Sequence, residues 1–114
     1  MERSVMKLKQ GVSLQGLKPQ MRLALIESAL ISTKHGEELV ITSGTEGEHS
    51  PGSLHYYGWA IDIRTKHFND EETIIKVAQH LQKKLHPYGF YVLLESTHIH
   101  IEWRRALDKD ELWN

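Results

Sequence analysis

Apolar and polar residues alternate in two stretches of the chain with the two-residue period of a β-strand. Residues 57–64 alternate between the apolar set Tyr57, Trp59, Ile61 and Ile63 and the small or polar set Gly58, Ala60, Asp62 and Arg64. Residues 98–103 separate His98, His100 and Glu102 from Ile99, Ile101 and Trp103 in the same way. We expect the apolar set of each strand to face the core, so that the polar set lies on the opposite face.

Two other segments have the periodicity of helices. Residues 19–36 begin with Pro19 and end with Gly36, which suit the first turn of a helix and the residue just past its end. The apolar residues of this segment predict a mostly buried helix that packs through Leu23, Leu25, Ile26, Ala29 and Leu30. Residues 70–85 predict an amphipathic helix with Asn69 as its N-cap.

Short β-rich runs complete the pattern. Residues 38–43 predict a strand after the first helix, and residues 90–95 predict a strand joined to residues 98–103 by a tight turn at Ser96 and Thr97. The sum predicts an α+β fold in which a small antiparallel sheet carries helices packed on one face. With 114 residues, we expect a single domain.

Composition narrows the possible chemistry. Lys and Arg total 14 against 15 for Asp and Glu, so the broad basic surface of a nucleic-acid or anionic-membrane binder is missing. The chain has no cysteine, which excludes a disulfide framework, a thiolate metal site and a cysteine nucleophile. Eight histidines remain as candidate metal ligands and acid–base groups. We expect a monomer that binds neither nucleic acid nor a membrane.

Candidate chemistry concentrates in residues 53–62 and 95–103. Two histidines at positions i and i+2 of a strand, His98 and His100, share one face and form a platform for a metal ion. For His55 and Asp62 to meet the same ion, His55 must lie in the loop before the strand, because a spacing of seven residues would place them on opposite faces.

A donor set of His, Asp and His suits Zn²⁺ with a fourth position left to water, the open arrangement of a catalytic site. Gly58 and Ala60 leave open volume on the face that carries Asp62, as a substrate would require. Glu95 is the carboxylate best placed to accept a proton from that water. Glu102 shares the histidine face and is either a hydrogen-bond partner of a ligand or an exposed acid. We expect the remaining histidines to face solvent: His35, His67, His80 and His86.

These residues resemble a known family. S-x-H-x-x-G-x-A-x-D at residues 53–62, followed by E-x-x-H-x-H at residues 95–100, is similar to the hedgehog/DD-peptidase zinc-binding fold. That group contains zinc D-alanyl-D-alanine carboxypeptidases, L-alanyl-D-glutamate endopeptidases of phage lysins and the signalling domain of hedgehog proteins. The resemblance covers residues 38–103.

The resemblance implies a role for each motif position. His55, Asp62 and His100 would be the zinc ligands, Glu95 the catalytic base, and His98 a histidine beside the ligands that steadies the site or the oxyanion. The weaker candidates for substrate contacts are His49, Ser53 and Arg64. His49 matches a histidine of the hedgehog loop near the metal.

The chain departs from the family pattern at two places. The segment SGTE at residues 43–46 lacks the Arg with which many relatives grip a substrate carboxylate, and Arg64 is the candidate replacement. The loop that binds calcium in hedgehog domains is shortened to Glu46 and Glu48.

The leading hypothesis is a zinc peptidase that hydrolyses a peptide bond in the peptidoglycan stem peptide, next to a D-amino acid. The chain lacks the apolar stretch of a signal peptide, so we expect synthesis in the cytoplasm and action on the cell wall after release at lysis or from a phage virion. Without an Arg in SGTE, we favour an endopeptidase over a carboxypeptidase. The alternatives are a non-catalytic, hedgehog-like zinc-binding interaction module and a purely structural zinc site.

Overall fold

A computed structural model describes residues 6–46, 54–55 and 58–104. Within them, one sheet has the strand order β1-β2-β3-β5-β4. Its strands are β1 (Met6–Leu8), β2 (Leu39–Ser43), β3 (Ala60–Arg64), β4 (Phe90–Leu94) and β5 (His98–Trp103). β1 runs parallel to β2, and the other neighbours are antiparallel.

The predicted α+β class is confirmed, whereas β1 and its parallel pairing were not predicted. β1 has three residues, two of them exposed, and therefore carries no alternation long enough to indicate a strand. Its position at the edge of the sheet covers the outer side of β2.

The second helix, α2 (Glu71–Leu85), follows its sequence signals closely. Its buried residues are Val77, Ala78, Leu81 and Leu85. The predicted cap is wrong by one residue: the N-cap is Asp70, whose Oδ1 accepts a hydrogen bond of 2.7 Å from the backbone N–H of Thr73. The backbone N–H of Asn69 instead donates to the Glu37 carboxylate.

The first helix, α1 (Met21–Lys34), buries only part of the predicted face, since Leu23, Leu25 and Ala29 are half-buried against the core. Ile26 and Leu30 are 56% and 60% exposed, while the buried residues are Met21, Ala24, Ser28, Ile31 and Ser32. Apolar residues surround most of this helix, so periodicity alone did not select a face. α1 packs against α2 and β2, and three of its five buried residues are small: Ala24, Ser28 and Ser32. Neither described helix is long and apolar enough to cross a membrane.

The register between β3 and β5 separates the core from a polar face, as the alternation predicted. Ile61 lies opposite Ile101 and Ile63 opposite Ile99, and all four are fully buried against the helices. On the opposite face, the register pairs Asp62 with His100, Arg64 with His98 and Ala60 with Glu102. Trp59 lies before β3, outside this core, and its ring lies 4.7 Å from that of Trp103.

An N-terminal loop, residues 9–18, packs against the segments that precede the polar face. The backbone N–H of Thr45 donates to the Ser13 carbonyl, and that of Lys18 donates to the Gly58 carbonyl. Gly58 has φ +78°, and a Cβ there would lie 2.2 Å from the carbonyl oxygen of Gly16. Because only glycine tolerates both this conformation and this approach, Gly58 fixes how closely the loop can dock.

We predict that Gly58→Ala destabilises the protein more than Gly36→Ala. Gly36 has a similar φ of +79°, but a Cβ there meets no atom within 4 Å. Gly36→Ala should therefore cost about 1–2 kcal/mol, the penalty of the left-handed conformation alone, and the overlap at Gly58 should add about 1–3 kcal/mol. Urea unfolding of both variants measures the difference. Equal losses would contradict the close packing of the N-terminal loop.

Candidate metal centre

Three side chains converge at the centre of the polar face. β3 and β5 place Asp62 beside His100, and the turn before β3 places His55 against them. Asp62 Oδ1 lies 2.7 Å from His100 Nδ1 and 3.3 Å from His55 Nε2. The candidate ligand atoms all lie within 4.8 Å of one another, so this predicted group is brought together.

Both histidines are held by their other ring nitrogen. His55 Nδ1 lies 2.9 Å from the Gly44 carbonyl oxygen, and His100 Nε2 lies 2.7 Å from Glu102 Oε1. Because a carbonyl and a carboxylate only accept hydrogen bonds, each of these nitrogens carries the proton. In the neutral tautomers, His55 Nε2 and His100 Nδ1 therefore direct lone pairs toward Asp62.

Three acceptor atoms that meet at one point require a cation or shared protons between them. Two imidazole nitrogens and one carboxylate oxygen form a donor set that binds divalent transition metals. His55 is 5% exposed, and the side chains of Asp62 and His100 are 16% and 14% exposed, so little water competes for these atoms. His55, Asp62 and His100 can hold a metal ion.

The negative charge of Asp62 and the positive charge of protonated His100 stabilise each other in the absence of a metal. Burial raises the pKa of Asp62, but hydrogen bonds and charge from His100 and His55 outweigh it and hold the pKa well below its usual range. Burial lowers the pKa of His100, yet Asp62 and Glu102 together raise it above its ordinary value. The arrangement therefore keeps Asp62 ionised.

Glu102 is a partner of the candidate ligand His100 and not an exposed acid. It is only 9% exposed, and its second oxygen accepts a hydrogen bond of 2.5 Å from Arg104 Nε. Burial raises the pKa of Glu102, but Arg104 and His100 lower it overall. A carboxylate that accepts from the far nitrogen of a ligating histidine orients the ring and increases its basicity.

Glu95 and His98 lie together at the β4–β5 turn. Glu95 Oε1 is 3.7 Å from His98 Nε2, and the same nitrogen is 3.8 Å from Asp62 Oδ2. Thr97 Oγ1 lies 2.9 Å from His98 Nδ1 and fixes the ring. The side chain of Glu95 is 50% exposed, so this carboxylate stands on the solvent side of the centre.

The weaker candidates and the remaining histidines have varied outcomes. His49 and Ser53 lie outside the described residues.

Arg64 donates a hydrogen bond from Nε to His67, which also bonds the Glu38 carbonyl, so the expectation that His67 faces solvent is wrong. It is also wrong for His35 and His80, which are half-buried and have ring nitrogens 3.2 Å apart, whereas His86 is exposed.

Periodicity could not reveal two groups that position the centre. The Gly44 carbonyl orients His55, and Glu46 accepts hydrogen bonds from the backbone N–H groups of Gly44 and Ser13. Burial raises the pKa of Glu46, but these backbone donors lower it overall. Glu46, considered from sequence as a remnant of a calcium loop, thus links the N-terminal loop to the carbonyl that holds His55; Glu48 lies outside the described residues.

Comparisons with known proteins give no match to a family model, a curated protein or a solved structure. The chemistry of the centre therefore rests on its own residues. Among these, His55, Asp62 and His100 have the donor atoms and the burial that a metal requires.

We predict that His55→Ala, Asp62→Ala and His100→Ala each abolish tight metal binding. Each removes one of three ligands and leaves a buried acceptor unpaired, so each should also remove the rise in melting temperature that added metal causes. His86→Ala is the control, because His86 is exposed and outside the group. Metal analysis and thermal unfolding are the measurements. Full metal content in any of the three variants would contradict the assigned group.

We also predict that Glu102→Gln weakens metal affinity by about 10–100-fold without removing a ligand. Glutamine keeps the size of the side chain but loses the charge that fixes the tautomer of His100. Glu72→Gln is the matched control, since Glu72 is exposed and, among the described residues, forms its ion pair with Lys76. Competition with a chelating dye measures both affinities. An unchanged affinity in Glu102→Gln would mean that His100 needs no carboxylate partner.

Proposed function

We propose that the protein is a zinc peptidase that hydrolyses a bond of the peptidoglycan stem peptide next to a D-amino acid. The observation that carries this proposal is the convergence of three buried acceptor atoms, from His55, Asp62 and His100, beside a carboxylate and a further histidine on the solvent side. The similarity of motif spacing to the hedgehog/DD-peptidase fold supports the choice of zinc and of the substrate class.

Zinc, when bound, would supply Lewis-acid polarisation of the scissile carbonyl. His55, Asp62 and His100 would hold the ion, and the Gly44 carbonyl and Glu102 keep the two imidazoles in the tautomers that leave the ligating nitrogens unprotonated. This donor set fits zinc because catalytic zinc sites are commonly held by three protein ligands drawn from imidazole nitrogens and carboxylate oxygens.

Glu95 is the general base of the proposed reaction. Its carboxylate takes the proton of the attacking water at an Oε atom and then delivers it to the nitrogen of the leaving amine. The side chain of Glu95 is half-exposed and therefore open to water, and its Oε1 lies 3.7 Å from His98 Nε2.

His98 stabilises the negative charge that develops on the carbonyl oxygen. When the Thr97 hydroxyl donates to His98 Nδ1, the Nε2 atom carries the proton and can donate to that oxygen. Two neighbouring residues at the β4–β5 turn thus have different roles in the proposed reaction. Glu95 transfers protons, and His98 donates a hydrogen bond to the carbonyl oxygen.

We predict that Glu95→Gln keeps full zinc content while hydrolysis falls by about 10²-fold or more, because a proton acceptor is lost and no ligand is removed. His98→Ala should likewise retain zinc and lose activity. Purified peptidoglycan and defined stem peptides are incubated with zinc-loaded protein, and the products are identified by mass spectrometry. Glu72→Gln should hydrolyse at the parent rate.

The outcome separates the enzyme from its main alternative. Zinc binding without cleavage of any stem peptide by the parent protein would reject the peptidase and leave a zinc-containing interaction module. Cleavage by Glu95→Gln at the parent rate would reject Glu95 as the base.

A further inference from the structure

Of the three candidate ligands, His55 alone lies outside the sheet. Asp62 and His100 stand opposite each other on β3 and β5, so the strand register fixes where their side chains meet. His55 lies in the turn before β3, and its Nδ1 atom meets the Gly44 carbonyl at 2.9 Å, in the loop that follows β2. The orientation of its ligating Nε2 atom therefore depends on how that loop is held.

The carbonyl that holds His55 belongs to a peptide group that is also held from its other side. In the planar trans peptide group between Gly44 and Thr45, the C=O and the N–H point in opposite directions. The C=O accepts from His55 Nδ1, and the N–H donates to the Ser13 carbonyl at 2.9 Å. A rotation of this group that weakened one hydrogen bond would weaken the other, so Ser13 sets the direction of the bond to His55.

Glu46 closes the contact around Ser13. Its Oε1 atom accepts hydrogen bonds from the backbone N–H of Ser13 at 2.9 Å and from that of Gly44 at 2.8 Å. Ser13 is thereby held through both its N–H and its C=O. Because hydrogen bonds to a carboxylate are stronger than those between neutral groups, Glu46 contributes strongly to the docking of the N-terminal loop.

The same loop holds the backbone on the other side of His55. The N–H of Gly58 donates to the His55 carbonyl at 3.2 Å, and the Gly58 carbonyl accepts from the N–H of Lys18 at 3.0 Å. Two points of the N-terminal loop, Ser13 and Lys18, are thus hydrogen-bonded to the two segments that contact this ligand.

We propose that Glu46 is a positioning residue of the metal centre: it docks the N-terminal loop, and the docked loop holds His55 in the orientation that binds the ion. Metal binding and loop docking then stabilise each other, because a coupling between two sites acts equally in both directions. This role rests on the candidate metal centre and not on the proposed hydrolysis. It makes metal affinity depend on a segment that supplies none of the three ligands.

The test compares two glutamates that each join distant segments through a backbone N–H. Glu46→Ala should weaken zinc affinity by about tenfold, the lower end of the range for residues that support a ligand. Glu37→Ala is the matched control, because Glu37 accepts a hydrogen bond of 2.7 Å from the Asn69 N–H and lies before β2, whereas Glu46 lies after it. Both variants should melt below the parent without metal, but only Glu46→Ala should lose affinity in competition with a chelating dye.

Glu46→Gln separates hydrogen bonding from charge. Both hydrogen bonds end on one oxygen, so the amide oxygen of glutamine can accept them, and this variant should recover most of the affinity that Glu46→Ala loses. Hydrogen exchange of the parent supplies the reciprocal measurement. Zinc should slow exchange of the Ser13 and Thr45 N–H groups and leave unchanged that of the Thr73 N–H, which donates to Asp70 at the start of α2.

Several results would overturn the role of Glu46. Unchanged affinity in Glu46→Ala would remove the coupling, and an equal loss in Glu37→Ala would attribute it to general destabilisation. Equal losses in Glu46→Ala and Glu46→Gln would mean that the charge of Glu46 acts on the ion directly, and a parent protein that binds no zinc would reject the centre itself. Coupling as expected without stem-peptide cleavage would keep the role of Glu46 and reject the peptidase; cleavage by the parent, with normal zinc affinity in Glu46→Ala, would do the reverse.

Discussion

The register between β3 and β5 is the constraint on which the rest of the molecule depends. Opposite Asp62 stands His100, and the isoleucines on either side of this pair enter the core. Because side chains alternate along a strand, a slip of one residue would bury the two candidate ligands and expose the isoleucines. Burial of Ile61, Ile63, Ile99 and Ile101 thus stabilises the fold and the geometry of the centre at once.

His55 depends on a second constraint, the docking of the N-terminal loop. The loop meets the Gly44 and Gly58 backbones so closely that a Cβ at either position would lie 2.2 Å from a carbonyl oxygen. Glu46 stabilises the same contact by accepting hydrogen bonds from the backbone N–H groups of Ser13 and Gly44. Residues 9–18 therefore hold the carbonyl that orients His55, although they supply none of the three candidate ligands.

The spacing of apolar and polar residues predicted those features that depend only on residues close together in the chain. The two faces of β3 and β5, the amphipathic α2 and the position of His55 before β3 all follow from spacing along the chain. The buried face of α1 does not follow from spacing, because apolar residues lie on most sides of this helix. Packing against α2 and β2 determines which of them are buried. Three features depend instead on contacts between segments far apart in the chain, which a local stretch of sequence does not reveal. They are strand β1, the docking of the N-terminal loop and the presence of Lys9 and Lys66 in the lining of one cleft.

Positive charge is concentrated at a cleft that Asp62 of the candidate metal centre also lines. The chain as a whole has a formal charge of −1, yet Lys9, Arg64 and Lys66 gather around one cavity. The remaining residues together therefore carry a net negative formal charge. Positive charge concentrated at one cleft raises the local concentration of anions there, so that the rate of encounter with an anionic ligand depends on ionic strength as well as on diffusion.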